Sequence, residues 1–136
     1  SQVSKLNFFI KKNELGHRVN IIKEINNPYK YISKFDLFIL SSKYEGLPNV
    51  LLECMALKIP IISTDCPTGP YEILNGNKFG TLFKINDYKK LSKLIIKYKN
   101  KKNDFVKKTD LGYESLNRFD YNLNCSKYLK ETIGLI

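Results

Sequence analysis

The sequence predicts an α/β protein in which a mostly parallel sheet is flanked by helices, and three observations support this fold class. Short apolar runs alternate along the chain with segments of helical periodicity, as in sheets built from strand–helix–strand units. The run from Phe35 to Leu40 is apolar at almost every position, which indicates a strand covered by helices on both faces. A polar turn with one glycine then leads into a helix that is expected to open at Pro48.

Length and composition indicate one domain. The 136 residues, with 43% hydrophobic residues, are enough for a single core. No apolar run approaches the roughly twenty residues of a membrane span, and no signal-like segment is found, so neither is expected. We therefore interpret residues 1–136 as a single domain with a C-terminal helical tail at about 103–136.

Residues 1–34 are expected to contain two helices and the first strand of the sheet. Residues 2–14 are predicted to form a helix because apolar side chains recur there at helical spacing and Gly16 supplies a stop. Pro28 is expected to open a short helix that runs through Ser33. Strands of the mostly parallel sheet are predicted at 19–22, 36–40, 60–63 and 80–83.

The remaining helices are predicted from their start and stop signals. The helix that opens at Pro48 should end by Lys58, because the residue before a proline disfavours helical geometry and Pro60 follows. A short helix is expected around Glu72. Asn86 and Asp87 are expected to supply the N-cap of the helix predicted after them, and Asp120 is expected to cap the last helix.

The candidate site is the turn between the strand at 36–40 and the next helix. Ligands of open α/β sheets bind beyond the carboxyl ends of the strands. The backbone N–H groups of Asn49 and Val50, with the positive end of the helix dipole, favour an anion such as a diphosphate. Glu53 lies about a turn and a half further along and can accept two hydrogen bonds from a diol such as ribose. Glu45 lies at the mouth of the same cleft.

These residues resemble a known family. Seven residues separate Glu45 from Glu53, and Gly-Leu-Pro-Asn follows the first glutamate. This pattern resembles the Glu-seven-Glu motif of retaining GT-B glycosyltransferases, which use nucleotide-sugars. The likeness extends over roughly residues 15–100, and it includes the segments at 33–42, 59–65, 69–74 and 79–83.

The resemblance implies a Rossmann-like fold, a partial C-terminal GT-B domain, and a role for each site residue. Glu45 would be the catalytic residue and contact hydroxyls of the donor sugar, and Glu53 would accept from the ribose. The loop after the strand at 19–22 would hold the nucleobase, so Lys23 and Glu24 are candidate contacts, although a solvated loop explains them equally well. The distal phosphate would lie against the turn and helix start, which consist of Gly46, Leu47, Pro48, Asn49 and Val50.

The resemblance also implies the reaction and the missing parts. The intact enzyme would transfer a sugar, with retention, from a nucleotide-diphosphate donor to a glycan or lipid-linked acceptor in cell-surface polysaccharide or glycoconjugate biosynthesis. In that family, an N-terminal domain and a Gly-rich turn with basic residues precede the matched region, and this chain contains neither. The missing N-terminal domain is therefore an expected partner, and the isolated chain should bind donor weakly at most. No cofactor and no metal are expected, because the helix dipole and those basic residues would neutralise the diphosphate.

The net charge of +10 comes almost entirely from lysine, since Arg18 and Arg118 are the only arginines. A compositional bias of the source explains this charge as well as attraction to an anionic membrane surface or a phosphorylated acceptor does. A cytoplasmic protein, peripheral at the inner face of the membrane, fits the second interpretation. Nucleic acid is not an expected partner because arginine is scarce. The three cysteines lack metal-like spacing and are expected to be reduced thiols.

Two other function classes stay open at this point. One is a binding module that holds a nucleotide or sugar phosphate without turnover. The other is a non-enzymatic, basic α/β scaffold for an anionic surface, whose binding would fall steeply with salt.

Overall fold

The computed structural model describes residues 2–133, which form an α/β domain with eleven short elements. The elements occur in the following order: α1 (Gln2–Lys12), α2 (Pro28–Ile32), β1 (Phe38–Leu40), α3 (Asn49–Ala56), β2 (Ile61–Thr64), α4 (Pro70–Ile73), β3 (Thr81–Phe83), α5 (Tyr88–Asn100), α6 (Lys102–Glu114), a 3-10 turn (Leu116–Phe119) and α7 (Tyr121–Ile133).

The three strands form one parallel sheet in the order β1-β2-β3, which confirms the predicted fold class. Ile39 pairs with Ile62, and Ser63 pairs with Leu82, so the central strand β2 is hydrogen-bonded on both sides. All four residues of β2 are buried. Because the strands are parallel, their carboxyl ends lie at the same edge of the sheet, and the loops that follow β1 and β2 meet there.

The core lies on both faces of the sheet. Successive side chains of a strand point to opposite faces. Accordingly, Ile61 packs with Leu51, Met55 and other residues of α3 and α4, whereas Ile62 packs with residues of β3, α5 and α6. The cluster that contains Ile62 also contacts the segment just before β1, because the hydroxyl of its Tyr98 donates to the Asp36 carbonyl at 2.6 Å.

The prediction of a strand at 19–22 is wrong. These residues form no regular secondary structure, and Val19 and Ile22 are 38% and 59% exposed. A strand needs a neighbour for its backbone groups, and among residues 2–133 no strand lies beside β1 on its outer edge. The apolar pattern of 19–22 therefore has no sheet position to occupy within the described part of the chain.

The helix ends differ from the predictions by small amounts. Pro48 is the N-cap of α3 rather than its first helical residue, and α3 ends at Ala56. Helix α1 ends at Lys12 rather than at residue 14, and the first part of the predicted helical tail is helix α6, which runs from Lys102 to Glu114. The expected caps are confirmed, since the Asp87 and Asp120 side chains accept from backbone N–H groups three residues later at 2.9 Å.

Candidate functional site

The turn after β1 is held in place by the loop after β2. The Thr64 hydroxyl donates to the Ser42 carbonyl at 2.6 Å, and the Thr68 hydroxyl donates to the Glu45 carbonyl at 2.5 Å. These bonds join backbone positions that are more than twenty residues apart in sequence. The two loops therefore form one structural unit at the carboxyl edge of the sheet, and α3 begins from it.

Gly69 lets the two loops come this close. It has a φ of +84°, and a Cβ placed on it would collide with the Gly46 carbonyl and the Pro48 ring. Thr68, directly before it, also has a positive φ of 62°. Such backbone conformations are unfavourable for residues with side chains and persist only where surrounding contacts impose them. Gly69 was not predicted as a site residue, although a glycine before the helix-opening Pro70 in a turn-rich loop is a usable signal.

The surface of the turn itself is open. A Cβ on Gly46 would have no atom within 4 Å among the described residues. Leu47 is 52% exposed, whereas Pro48 is buried against Gly69 and fixes the start of α3. The N-cap residue, Pro48, makes no side-chain hydrogen bond to the backbone N–H groups in the first turn of α3. The predicted anion site at Gly46–Val50 therefore combines open space with the uncapped N-terminus of an eight-residue helix.

Glu53 has a partner that the sequence analysis missed. Its Oε1 lies 3.2 Å from the hydroxyl of Tyr29, which is on α2. The charge of the Glu53 carboxylate and this hydrogen bond raise the pKa of Tyr29. The next residue, Cys54, is buried, and desolvation together with the Glu53 charge raises the pKa of its thiol to about 12. Glu53 therefore lies at the boundary between the core and the surface, and Cys54 is a buried, protonated thiol.

Glu45 and Glu53 belong to the same strand–turn–helix unit. Both residues are half-buried. The backbone of Glu45 is fixed by Thr68, and Glu53 lies within α3, whose Leu51, Cys54 and Met55 are buried. Both glutamates therefore lie in the segment that follows the carboxyl end of β1, which is where ligands of this fold class bind.

The two candidate contacts for the nucleobase, Lys23 and Glu24, have different surroundings. The loop before α2 and α2 itself line a cavity of about 520 Å³. Glu24 lines this cavity, but Lys23 does not. The other lining residues are Ile22, Ile25, Asn26, Asn27, Lys30 and Tyr31. Because α2 also supplies Tyr29, the cavity and Glu53 are adjacent to the same short helix.

The larger cavity of about 680 Å³ lies elsewhere, against α7, and its lining is mostly apolar. It is bounded by residues such as Phe119, Cys125 and Leu129, and none of them belongs to the turn or to α3. We therefore base the candidate site on the turn, where the polar groups converge, and not on cavity size.

Arg118 and Lys108 stabilise the packing of the second half of the chain. The Arg118 guanidinium donates to the Ile73 carbonyl at 2.9 Å, at the C-terminal end of α4, and its carbon lies 5.0 Å from the centre of the Phe79 ring. The Lys108 ammonium donates to the Gly80 carbonyl at 3.0 Å, and its burial lowers the pKa of this lysine. Arg118 thereby fixes the far end of the helix that Gly69 begins.

Neither a metal cluster nor a membrane-spanning helix is found in the described part of the chain. Between residues 2 and 133, no three side chains of the metal-binding types come together in a way that could hold an ion. Over the same range, every helix is too short or too polar to cross a bilayer.

Comparisons with known proteins agree on one family. The family model described as "Glycosyl transferases group 1" matches residues 1–118. An uncharacterised glycosyltransferase of Methanocaldococcus jannaschii is 44% identical over 71 residues, which are 52% of this chain and 18% of that protein. A Campylobacter jejuni N-acetylgalactosaminyltransferase that acts on a diphospho-undecaprenol substrate is 35% identical over 78 residues, which are 57% of this chain and 21% of that protein. The chain thus spans about a fifth of the length of these curated relatives.

Solved structures show the same fold. HepE from Anabaena, in complex with UDP, superposes with a TM-score of 0.83 at 16% identity, over 98% of this chain and 37% of HepE. It has also been solved with UDP-glucose. The C-terminal domain of a group 1 glycosyl transferase (LpcC) from Francisella tularensis superposes with a TM-score of 0.70 at 21% identity, over 87% of this chain and 61% of that domain.

Proposed function

The chain belongs to the group 1 glycosyl transferases and has the Rossmann-like α/β fold of a partial GT-B C-terminal domain, and from this premise we propose that it binds the sugar donor. The donor would be a nucleoside-diphosphate sugar. The whole enzyme would transfer its sugar, with retention at the anomeric carbon, to a glycan or lipid-linked acceptor in cell-surface polysaccharide or glycoconjugate biosynthesis.

One observation carries the proposal. The uncapped start of α3 opens onto free space beside Gly46, with Glu45 before it and Glu53 within the helix. An anion is favoured at the helix start, and carboxylates on either side of it are favourable only when hydroxyl groups are bound there. A nucleotide-sugar supplies both, because its diphosphate lies between two polyhydroxylated rings. The complexes of HepE with UDP and UDP-glucose support this choice of ligand.

The proposed roles follow the order of groups along the donor. Glu45 acts on the sugar, the helix start holds the distal phosphate, and Glu53 accepts from the ribose. The cavity lined by Glu24 is the proposed place for the nucleobase. Lys23 does not line that cavity and stays a prediction of the sequence alone.

The catalytic proposal rests on charge development at the sugar. As the bond between the anomeric carbon and the diphosphate breaks, the leaving diphosphate gains negative charge, and the helix start is placed to stabilise it. Glu45 is the carboxylate on the sugar side of that bond. We propose that no metal takes part, because the helix dipole and basic residues of the rest of the enzyme would neutralise the diphosphate.

The acceptor is proposed from the relatives. The Campylobacter jejuni relative is named for transfer to a diphospho-undecaprenol substrate, and a relative from Erwinia amylovora is named for amylovoran biosynthesis. A lipid-linked or polysaccharide acceptor fits both names. An N-terminal domain that binds this acceptor is part of the proposal, because the chain covers only 18% to 27% of these relatives.

The stereochemistry of the product tests the proposed reaction. The complete gene product is incubated with a panel of UDP- and GDP-sugars, and the anomeric configuration of the released or transferred sugar is followed by proton NMR from the first minutes. Retention of the donor's configuration is expected. First appearance of the opposite anomer would contradict the retaining mechanism. Tight nucleotide binding with no turnover on any acceptor would favour the non-catalytic binding module.

We also propose that α5 contacts an anionic membrane surface through its lysine side chains, which are called its lysine face below. Every charged side chain of α5 is a lysine, and Ile96, 57% exposed, lies among them. The ion pairs found between residues 2 and 133 are made by other lysines, Lys58 and Lys102. Each lysine near an anionic leaflet contributes about 1 kcal/mol, so the face is complementary to such a surface.

Vesicle sedimentation tests this surface. The double change Lys89→Gln/Lys93→Gln should weaken binding to phosphatidylglycerol vesicles by about tenfold or more. The same charge change on α7, Lys127→Gln/Lys130→Gln, is the matched control and should have a smaller effect. Equal losses for the two pairs, or equal binding to neutral phosphatidylcholine vesicles, would contradict a specific α5 contact.

A further inference from the structure

Tyr29 contacts the carboxylate of Glu53, the residue proposed to bind the ribose. Its hydroxyl is 3.2 Å from Glu53 Oε1, and this is a contact between two helices, α2 and α3, that are separated by β1 in sequence. The phenol is 52% exposed, so the contact lies at the surface beside the candidate site and not in the core.

Helix α2 is fixed at both ends, and this fixes Tyr29. The Asn27 side chain caps its start, and Pro28 is its first residue. At its other end, the N–H of Ser33 donates to the Tyr29 carbonyl at 3.0 Å. Ile32, three residues after Tyr29 and so on the same side of the helix, is buried in the cluster that contains Leu51 and Cys54. This packing directs that side of α2, and Tyr29 with it, toward α3.

We propose that Tyr29 is a positioning residue for the donor's ribose, because its hydroxyl holds one oxygen of Glu53 and leaves the other oxygen available to the diol. The inference rests on the proposed role of Glu53. A glutamate side chain has three rotatable bonds, and holding it in one conformation before the ligand arrives removes an ordering cost from binding. A neutral phenol suits this task because it donates to a carboxylate, and the raised pKa keeps Tyr29 in its donating form.

The chemistry predicts an effect confined to ligands that carry a diol. Tyr29→Phe removes the hydroxyl and keeps the ring, so packing of α2 should be preserved. Affinity for a ribonucleoside diphosphate should fall about fivefold, which is about 1 kcal/mol. Affinity for the 2′,3′-dideoxy analogue should not change, because that ligand offers Glu53 nothing to bind.

The experiment is a double-mutant cycle on the complete gene product, with binding measured by titration calorimetry. UDP, GDP and ADP are compared first, and the tightest of them is used with its 2′,3′-dideoxy analogue. Tyr29→Phe, Glu53→Ala and the double variant are measured with both ligands. Tyr128→Phe on α7, where the tyrosine is also exposed, is the matched control and should leave both affinities unchanged.

The outcomes separate this inference from the proposed function. In the Glu53→Ala background, Tyr29→Phe should cost nothing further. Three results would overturn the role of Tyr29 alone. Tyr29→Phe could lower the affinity for the ribo and dideoxy ligands equally, or lower affinity just as much in the Glu53→Ala background. It could also leave affinity unchanged while Glu53→Ala weakens binding. No effect of Glu53→Ala on any ribonucleotide, or no nucleotide binding at all, would overturn the ribose site and this inference with it.

Discussion

Replacing Gly69 with alanine should both destabilise the protein and damage the anion site. The added Cβ would collide with the Gly46 carbonyl and the Pro48 ring, so backbone has to move. The φ of +84° adds conformational strain of roughly 1–3 kcal/mol for a residue with a side chain, and overpacking typically costs about 1–3 kcal/mol. Alanine also restricts the unfolded chain, which offsets about 0.4–1 kcal/mol. The net loss should therefore be about 1–5 kcal/mol.

Gly46→Ala is the matched control, because the same atom is added where no neighbour lies within 4 Å. Urea unfolding followed by circular dichroism should give Gly46→Ala a free energy of unfolding within about 0.5 kcal/mol of the parent. Gly69→Ala should also lose nucleotide affinity, since relieving the collision separates Thr68 from Glu45. A loss below about 0.5 kcal/mol for Gly69→Ala, or equal losses for both variants, would refute this account of the two loops.

Three further predictions concern single residues. Gly46→Val should lower nucleotide affinity at least tenfold by calorimetry, about 1.4 kcal/mol, while its melting temperature stays unchanged; unchanged affinity would place the anion elsewhere. In the folded protein at pH 8.5, Cys54 should be alkylated by iodoacetamide at least about a hundredfold more slowly than the half-buried Cys125, because a thiol with a pKa of about 12 is almost fully protonated there; equal rates by mass spectrometry would contradict its burial. Arg118→Lys should cost about 1–2 kcal/mol of unfolding free energy through the lost bond and ring contacts, whereas the exposed Arg18→Lys should cost almost nothing, and equal costs would argue against the packing role of Arg118.

The sheet and the start of the helices could be predicted from local patterns. Short apolar runs that alternate with helical segments predicted parallel strands close to β1, β2 and β3, although not their order, and Asn86 and Asp87 were predicted as the cap of α5. The strand at 19–22 was wrong because a strand depends on a neighbouring strand as well as on its own residues. Its apolar residues have no paired edge among the described residues, and the local pattern carries no information about that.

The candidate site was predicted only in its contiguous part. Residues 45–53 are adjacent in sequence, so their turn and helix start follow from the order of Gly46, Pro48 and the helix behind them. Thr68, Gly69 and Tyr29 were missed because each of them contacts a residue of this segment that lies 21 to 24 positions away in sequence. Their contacts depend on how α2 and the loop after β2 pack, which no short motif specifies.

The separate roles of Glu45 and Glu53 are the most direct test of the donor site. Glu53 should bond the ribose equally before and during transfer, so Glu53→Gln should weaken nucleoside diphosphate binding about tenfold or more, from a charge-assisted bond of about 1.5–3 kcal/mol. Glu45 should act where charge develops, so Glu45→Gln should leave that affinity almost unchanged and lower kcat. Both quantities are measured on the complete gene product. Equal weakening of nucleotide binding by the two changes, or no effect of either on affinity or kcat, would contradict the account.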